Sequence, residues 1–402
     1  MPEISLADRP ARLTACLALV AFLPMLSSDL FLPALPAIAS ALAVPVAATQ
    51  RLFDSYFAGL ALSLLVCGPL SDRHGRRRPL LAALALHAAT SLAMAGAHDL
   101  ATLSACRFAQ GLASGIPVAL WRSIAFDALP LEAATRAISV VVPVMVVSPA
   151  LAPIVGEWIA ALAGWRAIFA ALAGVGALAF LLTWGFVPET HRLAPAGGAA
   201  RQWMSSWLAL ARSRRFVSFC ALACAAYAAY FLYLFQAPLL LALGYTPRAI
   251  SYAYLPVTAG FVLGSAVGRR LAPRAGDRAI VTAGTALFAA GAVLLAGWGV
   301  AGRPLGVAGL LLAAALLVAA NGTLLTIGVA RAMAQFPTLR GTSSALLGFS
   351  QAAVTALMIG RMSRLNEVLP QARSLSIMIG ACLLLAMAAL WVYRRAITDT
   401  SS

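Results

Sequence analysis

Apolar residues in this chain gather into runs of about twenty, the length a helix needs to cross a hydrocarbon layer at about 1.5 Å per residue. Such runs lie near residues 12–36, 49–68, 79–97, 100–121, 136–160 and 166–187, and again near 215–238, 248–268, 278–299, 304–330, 341–360 and 374–393. Lipid offers the backbone no hydrogen bonds, so spanning segments of this kind are predicted to be helices. The pattern predicts an all-α membrane protein with twelve transmembrane helices. The first run has no small-residue cleavage site and outlasts a signal peptide, so it is expected to be a retained span.

The longest hydrophilic stretch, Pro188 to Arg215, contains Pro195, Gly197, Gly198 and five Arg. It divides the chain into two pseudo-symmetric six-helix halves, residues 1–187 and 215–402, joined by a linker at 188–214. Secondary transporters are commonly built from such repeats, with the substrate site between the halves near mid-membrane. Gly268 can be placed under Gly68, and Gly264, Arg269, Arg270, Arg274, Gly276, Asp277 and Arg278 then echo the loop after the second run. Ala272 falls under Asp72, so the acidic member is missing from the second copy.

Composition supports the pattern: 62% of the 402 residues are hydrophobic and only 10% charged, and the mean hydropathy is +0.90. A soluble domain carries about a quarter charged residues. All 29 basic residues are Arg. With the N-terminus inside, 21 Arg flank the cytoplasmic ends of the spans, 7 the opposite ends, and Arg107 alone stays within a span. The positive-inside rule therefore predicts both termini in the cytoplasm, in a bacterial-type inner membrane. It also accounts for the net charge of +16 without nucleic acid as a partner, because the Arg sit beside spans and form no single basic face. The six Cys lie in or at the ends of spans and form no CxxC pair. Neither a disulfide scaffold nor a zinc site is indicated, and Cys220 with Cys224 reads as packing on one helix face.

The loop Gly68-Pro69-Leu70-Ser71-Asp72-Arg73-His74-Gly75-Arg76-Arg77-Arg78 resembles the signature loop of the major facilitator superfamily. Arg107 with Gln110 and Gly111, and Arg122 with Asp127, resemble that family's fourth-span motifs. Ser148 to Gly156, with Pro149, Pro153 and Gly156, resembles its fifth-span antiporter motif, except that Glu157 stands where a second glycine is usual. Gly164-Trp165-Arg166 and Pro188-Glu189-Thr190 resemble the ends of its sixth span. The segment from Ser28 to Pro36 and the run Gly341 to Gly348 are most similar to the twelve-span drug:proton antiporters of the bicyclomycin and chloramphenicol or florfenicol exporter type.

Few residues break the apolar runs. A carboxylate inside a span costs about 2.5–3.5 kcal/mol on insertion scales and calls for a partner or a cavity. Asp29 in such a setting is a candidate for taking and releasing a proton, the role the resemblance assigns to it; a helix-end cap before Pro33 is the alternative. Arg107 keeps its charge, so it must face a cavity or be paired, as a gate or coupling charge or as a structural ion pair. Asp54 is a secondary candidate that could equally be interfacial. Tyr230 and Gln236, from the every-third-residue series Tyr227, Tyr230, Tyr233 and Gln236, suit a flat lipophilic or cationic ligand or simple packing. Asn321 suits ligand contact or helix-helix adhesion. Asp72 and Arg76 of the signature loop, with Arg122 and Asp127, would form an inner charge cluster that holds one state closed, or a solvated loop that fixes topology; Gly68 and Gly75 would permit the sharp turn, and Arg73 matches the same motif.

These readings imply a proton-coupled secondary transporter that exports a small lipophilic or amphiphilic compound by alternating access. No cofactor is expected beyond the proton gradient, and no GxxxxGK[ST] segment occurs. The expected partners are a small-molecule substrate, protons and the lipid bilayer, and the expected state is a monomer. An importer on the same fold is the alternative. A membrane enzyme is remote, because His74, His87, His98 and His191 are scattered and no HExxH or GxSxG segment occurs.

Overall fold

The structure is a computed structural model that describes residues 9–190, 199–234, 246–301, 307–334, 336 and 340–398. Each of the twelve apolar runs falls mainly on helix over its described part, the first being broken after Asp29. The helices are α1 (Arg9–Asp29), α2 (Leu35–Ala41), α3 (Arg51–His74), α4 (Arg77–Ala95), α5 (Leu100–Ala128), α6 (Leu131–Ala163) and α7 (Trp165–Phe186). They are followed by α8 (Ala199–Arg212), α9 (Arg214–Leu234), α10 (Pro247–Ala301), α11 (Val307–Ala334), α12 (Arg340–Val368) and α13 (Gln371–Thr398). Among the described residues, nine helical stretches are long and apolar enough to cross a membrane, or ten when the two parts of α6, bent by 44°, form one span. Pro143, Pro149 and Pro153 interrupt the hydrogen-bond ladder of α6. The two remaining runs, on α5 and the first part of α10, carry buried polar side chains: Arg107 and Gln110 on one, Ser251, Thr258 and Ser265 on the other.

Contacts divide the chain into two compact units, Met1–Ala43 with Ser55–Trp203, and Val44–Asp54 with Met204–Ser402. In the first unit, Leu17, Val20 and Leu23 of α1 meet Leu80 and Leu84 of α4, Trp121 and Ile124 of α5, Val141 of α6 and Ala179 of α7 in one apolar cluster. Large apolar residues on the outside, such as Leu92, Leu162, Leu181 and Trp184, stay exposed. That inversion, with apolar groups outside and polar groups within, is expected where lipid is the solvent. In the second unit α9 is apolar around most of its circumference, and the structure buries it accordingly. The segment expected as a linker contains α8, whose Leu210 is buried while Met204 and Leu208 are exposed, and whose Trp207 ring lies 5.6 Å from that of Phe349.

Small residues set how close the helices come. A Cβ added at Gly59 would strike the Phe108 carbonyl, one at Gly111 the Tyr56 carbonyl, and one at Gly115 the Ser63 side chain, so α3 and α5 cross backbone against backbone. The second unit repeats the device: Gly264 of α10 faces Ala319 of α11, and Gly322 of α11 faces Phe261. The turn glycines repeat too. Gly75 (φ +79°) and Gly276 (φ +75°) both take the left-handed region that L side chains avoid. They end the second helix of each repeat, but Gly276 falls one residue beyond the position that pairs Gly268 with Gly68.

After Gly75, α4 begins with a carboxylate supplied from beyond α7. Glu189 Oε1 accepts from the Arg76 N–H at 2.8 Å and Oε2 from the Arg77 N–H at 3.3 Å, satisfying donors that a helix start leaves free. Arg77 returns the contact, donating to the Trp184 carbonyl at 2.6 Å near the end of α7 and lying over the Trp184 ring. Replacing Glu189 by Ala should cost about 1 kcal/mol, read as faster hydrogen exchange confined to the first turn of α4; unchanged protection there would contradict the capping assignment. Gly111→Ala should cost about 1–3 kcal/mol through overpacking and lower the melting temperature in detergent. Gly174→Ala, at a glycine with nothing within 4 Å of its added Cβ, should leave it unchanged.

Candidate functional site

The end of α1 follows from Pro33. A helix continuing past Asp29 would need the N–H of residue 33 to bond the Asp29 carbonyl, and proline has none. The α-helix stops at Asp29, and a 3-10 turn over Leu32–Ala34 leads into α2. Gly156 of α6 comes against this break so closely that a Cβ there would collide with the Leu30 carbonyl. Asp29 is buried, 2% exposed. It does not cap the following turn, whose N-cap position is Phe31 and has no side-chain cap. Instead Asp29 Oδ1 accepts from Ser28 Oγ at 2.7 Å. The same hydroxyl lies 2.8 Å from the Met25 carbonyl, so its single proton serves one acceptor at a time.

Arg107 points into the first unit from α5 and is wholly buried. Its Nη1 donates to the Ser27 carbonyl at 2.9 Å and to Gln110 Oε1 at 2.6 Å. Its guanidinium lies 4.2 Å from the Phe31 ring centre and 4.5 Å from that of Tyr56, a setting in which ring faces supply part of the countercharge. Asp29 is within its electrostatic reach. Tyr56 of α3 donates to the Pro24 carbonyl at 2.9 Å, which ties α3 to α1 beside the guanidinium. Gln110 Nε2 donates to Ser91 Oγ of α4 at 2.7 Å. Asp29 and Arg107, singled out as charges in apolar runs, are thus brought to one place, with Gly156 of α6 packed on Leu30 beside them and Pro153 buried one turn before it. Pro149 is half-buried one turn earlier on α6, and Glu157 is half-buried beside Gly156.

Sequence reasoning missed three contributors. His87, set aside as one of four scattered histidines, is 1% exposed and contacts Ser27 Oγ through Nε2 at 2.7 Å. Phe31 and Tyr56, which bracket the guanidinium, carry no mark in the sequence that sets them apart from other aromatics of apolar runs. The one available signal was the inward stripe of α5, where Arg107, Gln110, Gly111, Ser114 and Gly115 share a helix face.

The signature-loop residues form a separate cluster. Arg76 Nε pairs with Asp127 Oδ2 at 2.9 Å, so the turn after α3 is tied to the end of α5. Gly75 makes that turn, Arg73 is exposed in the last turn of α3, and Gly68 lies within α3. Arg122 is exposed, with its guanidinium 4.8 Å from the Trp121 ring centre. Asp72 is in helix, but its side chain lies outside the described residues.

In the second unit, Tyr230 packs against Phe231 and Phe261 beside the cluster of Tyr233, Val257, Ala314 and Val318. Asn321, one turn beyond Val318 on α11, is 3% exposed and its Oδ1 has no hydrogen-bond partner among the described residues. A buried amide oxygen left open is an acceptor available to a ligand or to water. Asp54 sits in the first turn of α3, groups with the second unit, and faces Gly360 of α12. Gln236 lies outside the described residues.

The chain is similar to a Haemophilus influenzae protein named bicyclomycin resistance protein homolog, 31% identical over 176 residues and 44% of each chain. It is also similar to a Shewanella oneidensis protein named multidrug resistance protein MdtL, 33% identical over 163 residues, 40% of this chain and 41% of that one. The chain spans about half the length of the curated relatives it matches. Its fold is similar to the crystal structure of a D-xylose-proton symporter, with a TM-score of 0.76 over 96% of this chain and 97% of that one, at 15% identity. The family model for the Major Facilitator Superfamily matches residues 17–359, and the chain belongs to that superfamily.

Proposed function

We propose that this protein is a proton-coupled exporter of a small lipophilic or amphiphilic compound, working by alternating access as a monomer in the bacterial inner membrane with both termini in the cytoplasm. Residues 1–187 and 215–402 act as the two rocking halves, joined by the 188–214 linker. The observation that carries the reading is the buried carboxyl of Asp29, set within electrostatic reach of an Arg107 that cannot give up its charge. The names of the relatives, a bicyclomycin resistance homolog and a multidrug resistance protein, supply the substrate class.

The coupling follows from the hydrogen bonds around Asp29. With the carboxylate ionised, Ser28 gives it its proton. With Asp29 protonated, the acid O–H donates to Ser28 Oγ and the serine proton turns to the Met25 carbonyl, so both states are satisfied without moving backbone. A proton arriving from outside neutralises Asp29 and loosens a cationic or polar substrate; release of that proton inside restores the charged site for loading. Arg107 opposes accumulation of a second positive charge, so proton and cationic substrate compete. A potential supplies about 2.3 kcal/mol per charge per 100 mV, and a pH unit adds about 1.4. One proton therefore sustains a gradient of roughly a hundred- to a thousandfold for a neutral substrate. Asp54, Tyr230, Gln236 and Asn321 are proposed to line the substrate path, and Gly68, Asp72, Arg73, Gly75, Arg76, Arg122 and Asp127 to close it on the inner side.

Inverted vesicles carrying the full chain provide the test, with the lipophilic cation tetraphenylphosphonium and neutral chloramphenicol as probes. Wild type should accumulate probe when the vesicle interior is acidified, and Asp29→Asn should lower that uptake at least about tenfold, as expected for loss of the proton-carrying group. Uptake by Asp29→Asn that still follows the pH gradient as in wild type sinks the assignment.

A further inference from the structure

The hydrogen bonds of the first unit close into a ring that begins and ends on α4. Ser27 Oγ gives its proton to the Leu23 carbonyl at 2.7 Å, so it accepts from His87 Nε2. The opposite tautomer would put the imidazole proton on Nδ1, which is buried without a hydrogen-bond partner among the described residues, and a buried donor with no acceptor is the costlier arrangement. The Ser27 carbonyl accepts from Arg107, Arg107 bonds Gln110, and Gln110 donates to Ser91, one turn from His87 on α4. Gly176 of α7 holds the other side of the imidazole: a Cβ there would lie 2.9 Å from Nδ1. No step of the transport reading uses His87.

We propose that His87 is a positioning residue of the Asp29 and Arg107 site: by bonding Ser27 Oγ it ties the last turn of α1 to α4, holds in place the main-chain carbonyl of that turn which restrains the guanidinium, and so sets how far Arg107 stays from Asp29. The inference rests on the transport reading. Among the described residues, the charged and titratable groups around Asp29 are Arg107 of α5 and Tyr56 of α3. On α6, Glu157 follows the glycine that packs on Leu30. Of these, Arg107 alone is held through Ser27. Without the His87 bond the last turn of α1 loses its tie to α4, the main-chain carbonyl of Ser27 can shift with that turn, and the guanidinium can close on the carboxylate.

The experiment measures protons released when tetraphenylphosphonium is added to purified full-length protein in weakly buffered detergent, as a function of pH, alongside the melting temperature. His87→Leu should shift the midpoint of release to lower pH by about one unit, because a closer guanidinium keeps the carboxylate ionised in more acid solution. His87→Gln, which keeps an N–H near the Nε2 position, should remain close to wild type. Should His87→Leu not yield folded protein, Gly176→Ala presses the ring from the α7 side and should shift the midpoint in the same direction. A lower melting temperature with an unmoved midpoint makes His87 a packing residue and overturns the proposal. Release from wild type with an unshifted His87→Leu likewise overturns it while leaving the transport reading intact; no release from wild type overturns both.

Discussion

A guanidinium that cannot lose its proton, placed where water does not reach, is the constraint on which the first unit is built. Leaving a buried charge uncompensated costs several kcal/mol, comparable with the whole stability of many domains. Arg107 avoids this by drawing partners from four helices: the Ser27 carbonyl and the Phe31 ring at the end of α1, Tyr56 of α3, Gln110 of α5 and, through Gln110, Ser91 of α4. Each partner fixes a helix rotation, so one charge specifies how the four elements face one another. The α1 break belongs to the same arrangement, because Pro33 stops the helix where Asp29 and Phe31 are needed.

The close crossings follow from that requirement. Polar side chains reach Arg107 only if α3 and α5 approach within backbone contact, and Gly59, Gly111 and Gly115 permit it. Gly156 does the same for α6 against the turn after Asp29. The second unit uses equivalent glycines at Gly264 and Gly322, but among the described residues the crossing there contains no buried Arg. Asn321, immediately before Gly322, supplies the polar atom instead, with an open acceptor where the first unit has a fixed donor. Two copies of one helix-packing device therefore offer unlike chemistry, the asymmetry a transporter needs if one half couples energy and the other recognises cargo.

The membrane class and the helical runs were legible because lipid imposes a length and an apolar composition that few soluble segments share. Asp29 and Arg107 were legible because a charge in such a run is costly and stands out. His87 was not: a lone histidine in an apolar run has no periodicity to mark it, and its partner Ser27 lies sixty residues away. Phe31 and Tyr56 were hidden for the opposite reason, since aromatics in apolar helices are ordinary and only proximity to a cation gives them a role. Glu189 was visible as part of a motif, but its bonds to the start of α4 depend on α7 returning beside α4. The repeat was read one residue out of place at Gly276, because matching Gly68 with Gly268 follows letters, whereas the turn follows the residue that adopts positive φ.

Charge bookkeeping also explains why the site needs Ser28 as well as Asp29. A buried carboxyl that gains and loses a proton changes from two acceptors to an acceptor and a donor, and a rigid surrounding would satisfy only one of these states. Ser28, with one rotatable proton between the Asp29 carboxyl and the Met25 carbonyl, accommodates both. Arg107 cannot adapt in this way; its contribution is to stay constant. In the proposed mechanism, a fixed cation on one side and a rotatable hydroxyl on the other make the protonation state of Asp29 the main electrostatic variable at the site, and the variable that a bound cation would compete to change.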